Sequence, residues 1–166
     1  MRIKGYVPPS TERAQQMIVQ LRRWLPGRRL VIVGDSSYAA LELLAACQGL
    51  SEPVTVVTRL RLDAALYAPP GERSPHRRGP KPKKGERLPA LAQRAADPQA
   101  TWEKLTLTWY GGEPRTVLTQ TGTALWYTPR FAPVSMRWVL VRCPDGRFDD
   151  QAFLCTDLDA TPAQIL

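Results

Sequence analysis

With 166 residues, 43% of them apolar, the chain is long enough for one domain with a real core, and its composition excludes wholesale disorder. The formal net charge of +8 points toward a polyanionic partner, nucleic acid first. That charge is concentrated: residues 68–87, APPGERSPHRRGPKPKKGER, hold seven Lys/Arg against two Glu and so supply five of the eight excess charges.

Taken in chain order, Ser10 caps a helix expected to run to about Leu25, with Ala14, Met17, Ile18, Leu21, Trp24 and Leu25 on one face and Pro26-Gly27 ending it. LVIV at 30–33 lacks polar alternation and reads as a strand covered on both faces. Residues 37–48 read as a buried helix with Glu42 its only charge, and PVTVVTRL at 53–60 as the next strand. Helix, strand, helix, strand is an α/β unit with parallel strands. Residues 68–87, with five Pro and three Gly, form an extended loop. A short helix is expected at 88–97. Strands follow in KLTLTWY and TVLTQTGTALWYT, with Gly111-Gly112 and Gly122 as turn signals, then in VSMRWVLVRC (134–143) and QAFLCTD (151–157). Thr161-Pro162 marks a final helix start.

Cys47, Cys143 and Cys155 form no CxxC pair and read as isolated thiols of a reducing compartment. MRIKGYVPPSTER lacks the apolar region of a signal peptide, and no apolar run approaches the roughly 20 residues of a membrane span. The expected location is cytoplasmic.

VIVGDSSYAALELL, residues 31–44, carries the chemistry, and three readings of it stay open. Ser36 could be a nucleophile of the GDSL-type hydrolase kind, but it would need a base, and the single histidine, His76, falls in the basic loop. Asp35 and Ser36 could cap the following helix. Asp35 could instead bind metal, because sites in open α/β sheets gather at the carboxyl ends of strands. A two-metal phosphoryl-transfer site needs several carboxylates, so the choice depends on where others come from.

The segments VIVGDSSYAALELL, PVTVVTRLRLDAALY, WYGG (109–112) and RWVLVRCPDGRFDDQAFLCTDLDATPAQIL, in that order, resemble bacterial insertion-sequence transposases of the DDE class, which have a ribonuclease H-like catalytic domain. The resemblance implies an α/β, ribonuclease H-like mixed sheet interrupted by a β-rich insertion. It divides the chain into 1–67, with the second catalytic Asp, 68–130, the basic loop and β-rich insertion, and 131–166, the return strands and the start of the helix leading to a catalytic Glu. In such transposases Asp, Asp and Glu hold two Mg²⁺ ions for DNA cleavage and strand transfer. Asp35 in VGDSSYA, followed by Tyr38 and Ala39, matches the middle position.

The other two positions have no counterpart here. Residues 1–34 contain no Asp, and no side-chain carboxylate follows Asp159. Asp149, Asp150, Asp157 and Asp159 are expected to be turn and capping residues. The chain therefore reads as an internal, truncated piece of a transposase, inactive alone or completed by a second transposase chain. Its expected partner is transposon-end DNA, and its expected place in the bacterial cytoplasm is nucleoid-associated. Arg73, Arg77, Arg78, Lys81, Lys83, Lys84 and Arg87 are the candidate phosphate contacts, the bland alternative being a solvated linker. Trp102, Trp109, Tyr110, Trp126 and Tyr127 could stack on unpaired bases, or fill a core. The competing functional reading is a non-catalytic DNA-binding or interaction remnant in which Asp35 only caps a helix.

Overall fold

The structure, a computed structural model, describes residues 10–71, 80–108 and 112–166. Helix α1 (Ser10–Trp24) buries Ile18 and packs Ala14 against the core, but Leu21 is only half-buried and Met17 and Trp24 remain 65% and 68% exposed. Its buried C-terminal residue is instead Arg22. The guanidinium donates to the carbonyls of Leu25 and Arg28, in the turn that follows the helix, and meets Glu52 at 3.1 Å, so one cation ties that turn to the helix end.

Strand β1 (Val31–Gly34) and strand β2 (Thr55–Leu60) are parallel, Val31 opposite Thr55 and Gly34 opposite Thr58. The helix expected at 37–48 is broken. A 3₁₀ turn, Ser36–Tyr38, comes first, Ala40 is extended, and helix α2 starts only at Leu41 and runs to Gln48. Gly34 makes room for this arrangement. The Tyr38 side chain folds back so closely that a β-carbon on residue 34 would lie 3.1 Å from the Tyr38 Cβ.

Beyond β2 come β3 (Leu66–Tyr67), α3 (Leu91–Ala96), β4 (Glu103–Thr108), β5 (Pro114–Trp126), β6 (Val134–Arg142), β7 (Gln151–Cys155) and α4 (Pro162–Ile165). Thr161 opens α4 as its sequence suggests, with Gln164 accepting the Thr161 N–H. Among the described residues all seven strands form one mixed sheet, in the order β1-β2-β7-β6-β5-β3, with β4 also on β5. Only β1 and β2 are parallel neighbours; every other pairing is antiparallel. Strands β3, β4 and β5 thus continue the same sheet as β1 and β2.

One face of the sheet packs Val56, Leu154, Met136, Trp138 and Leu140 against Leu43 and Leu44 of α2 and Leu91 of α3. The other gathers Val57, Val117, Val139 and Val141 under Ile165 of α4. Two expectations fail here. β1 is an edge strand, with Val31 47% and Val33 77% exposed, because among the described residues no strand lies beyond it and the four residues of α4 do not cover that face. Gly122 is no turn: it lies inside β5 opposite Trp138, where a β-carbon would come within 2.8 Å of the indole.

Candidate metal and nucleic-acid site

Asp35 follows the last residue of β1, so its carboxylate stands at the carboxyl end of the parallel pair. It is exposed. The Asp35 main-chain carbonyl accepts from Thr58 Oγ1 of β2, which ties the residue to the sheet. Asp35 Oδ1 accepts the Ser37 N–H at 2.8 Å and also the Ser37 hydroxyl. These two donors, the hydroxyl first, hold the carboxyl below its ordinary value of 3.8, so it is ionised at neutral pH. The capping role expected from sequence is therefore real, although the element capped is the 3₁₀ turn and not α2. Capping engages Oδ1 and is compatible with a ligand on the other oxygen.

The remaining carboxylates are placed apart from Asp35. Asp63, just past the carboxyl end of β2, forms a fork with Arg61 at 2.6 and 2.8 Å. Asp149 and Asp150 precede β7, which lies two strands from β1, about 10 Å away by strand spacing. Asp150 is also taken by Arg142, at 2.6 Å. Asp157 pairs with Arg29, ahead of β1, and its Oδ1 accepts the Asp159 N–H, so both belong to the opposite end of the strands. Among the described residues no three His, Cys, Asp or Glu side chains converge on a possible metal position. One carboxylate does not make a two-metal site, and no reaction step can be built from these residues alone.

Ser36 has no histidine beside it among the described residues, and His76 lies outside them. So do three of the seven candidate phosphate contacts, Arg73, Arg77 and Arg78, and the aromatic pair Trp109 and Tyr110. Of the other four cations, Lys81, Lys83 and Arg87 are exposed. Lys84 is turned inward, its ammonium 3.7 Å from the centre of the Tyr67 ring and 5.1 Å from that of Tyr127. The contact holds this part of the loop against the two rings. Backbone bonds from Ala68 to Glu86, Gly85 to Ala68 and Leu88 to Leu66 close the stem of the same loop against β3. Trp102, under the Arg142 guanidinium at 4.3 Å, and Trp126 pack against the core, so these aromatics serve the sheet.

Residues 8–127, more than half of the chain, match the DDE superfamily endonucleases. The chain belongs to that family. Its seven-stranded mixed sheet with helices is consistent with a ribonuclease H-like DDE fold. A search of curated proteins finds no match. Enzymes of the DDE superfamily use divalent metals and act on DNA. No helix among the described residues is long and apolar enough to cross a membrane.

Proposed function

We propose that the chain supplies one carboxylate, Asp35, to a Mg²⁺-dependent transposase site of the insertion-sequence type, and that it binds transposon-end DNA through its basic loop. The observation that carries this reading is the position of Asp35: ionised, solvent-facing and at the carboxyl end of an edge strand whose outer side has no strand partner among the described residues. A neighbouring strand on that side would lie about 5 Å away, close enough for its own carboxylate to share a cation with Asp35. The residues in hand do not hold two metals unaided, so the chain by itself binds DNA without cutting it. A second transposase chain is one possible source of the missing groups. Lys81, Lys83 and Arg87, joined by Arg73, Arg77 and Arg78, neutralise phosphates, which makes the affinity fall steeply with salt.

A second reading is favoured by one contact. Oδ1 of Asp35 already carries both Ser37 donors, so Asp35 can be a cap and nothing more in a non-catalytic DNA-binding protein. The discriminating experiment measures Mg²⁺-dependent nicking of supercoiled DNA. It is run for the chain, and for the chain expressed together with whatever its locus encodes on either side, each with and without Asp35→Ala. Nicking by the longer product that disappears in Asp35→Ala supports the catalytic role. Nicking that survives the substitution, or a longer product that binds DNA and never nicks it, leaves the capping role.

A further inference from the structure

The outer side of β5 is bordered by two strands that do not meet. Strand β4 pairs with it as far as Thr119, and β3 pairs only at Leu125 and Trp126. The gap at residues 120–124 opens into a cavity of about 320 Å³ lined by Arg94, Asp97, Glu103, Gln120 and Trp138, among others. Gly122 lies within the gap, and its missing side chain lets the Trp138 indole reach the β5 backbone. The Arg94 guanidinium stands 5.3 Å above that indole. Gln120 Nε2 is buried and has no hydrogen-bond partner, a costly arrangement for an amide donor unless something else accepts from it.

These features specify a ligand. Two carboxylates against one guanidinium repel phosphate, so the cavity does not track the DNA backbone. What suits it is a flat, uncharged group that stacks beside a guanidinium, offers N–H groups to a carboxylate and presents a carbonyl to an amide donor. Guanine has all three, with two adjacent N–H groups on the edge that carries its amino group. Thymine lacks the amino group. Exposed cations flank the gap, Lys104 on β4 and Arg87 bridged to Tyr67 of β3, where the phosphates on either side of an extruded nucleotide would pass.

We propose that this notch between β4 and β3 is a binding site for an unpaired guanine of the bound DNA. The proposal rests on the DNA-binding reading above and adds base recognition at a place remote from Asp35 in the sheet order.

The test compares three labelled duplexes of otherwise identical sequence by fluorescence anisotropy at fixed salt: fully paired, with a single guanine bulge, and with a single thymine bulge. The guanine bulge is expected to bind on the order of tenfold more tightly than the thymine bulge. Glu103→Gln, at an exposed strand position, and Gln120→Leu should each erase most of that preference while leaving the paired duplex bound as before. Equal binding of all three duplexes overturns the notch and leaves DNA binding standing. A guanine preference that neither substitution changes overturns it too. Binding to none of them removes the DNA-binding reading and this proposal with it.

Discussion

The centre of the sheet, at β6 and β7, and its margin, at β1, use the same residue types to opposite effect. Val139, Val141 and Leu154, in β6 and β7, are wholly buried, with strands on both sides and side chains above and below. Val31 and Val33 of β1 belong to a run just as apolar, yet face solvent at the margin. An apolar strand is thus a statement about a completed neighbourhood, and β1 has only half of one. The well-packed centre stabilises the chain, whereas the open margin carries the residue with the strongest claim to chemistry.

Substitutions can sharpen that contrast. Leu140→Ala or Leu154→Ala, each at a site with no exposed surface, should cost about 2–5 kcal/mol in urea unfolding. Gly122→Ala forces a methyl against the Trp138 indole and should cost about 1–3 kcal/mol by the same measurement. Val33→Ser should change stability by less than about 0.5 kcal/mol, since the side chain is already in water. A loss as large as that of Leu140→Ala would mean that the edge is covered in solution.

Two titrations extend the comparison to protons. Burial pushes the Cys47 thiol from 9.0 up to about 11, so the folded state keeps a proton that the unfolded state loses. Stability contributed by this group is complete below pH 9 and declines as pH rises toward 11, visible as a falling Tm that Cys47→Ala flattens. Asp35 has the reverse sign at the exposed margin. Its depressed value means that the turn is fully capped above about pH 4 and loses its cap as pH falls through the folded value. A lower protection factor for the Ser37 amide in acid, taken against its intrinsic exchange rate at the same pH and matched at neutral pH by Asp35→Ala, would confirm it.

Much of this architecture is legible in the sequence. Ser10, Pro26-Gly27 and Thr161-Pro162 mark helix limits through local chemistry, and the strands at 55–60, 134–142 and 151–155 announce themselves by continuous apolar runs. What escapes is set by contacts distant along the chain. Nothing local says that Tyr38 will fold onto Gly34 and delay α2, that Gly122 is reserved for an indole sixteen residues later, or that β1 will be an edge. Lys84 also looks like any other member of the basic run until Tyr67 and Tyr127 are seen beside it. Asp35 itself is legible as a cap. Its chemical role is not, because that depends on carboxylates the described residues do not bring to it.

Strand β5, thirteen residues long, pairs with β3, β4 and β6. A strand shared in this way couples the melting of its neighbours: among the described residues β3 and β4 have no other strand to hold them, and β6 loses one flank if β5 leaves. Unfolding of β3 and β4 and of the central sheet should therefore be a single transition. Evolution or an engineer could lengthen the basic loop freely, but could not excise the strands around it and keep a domain.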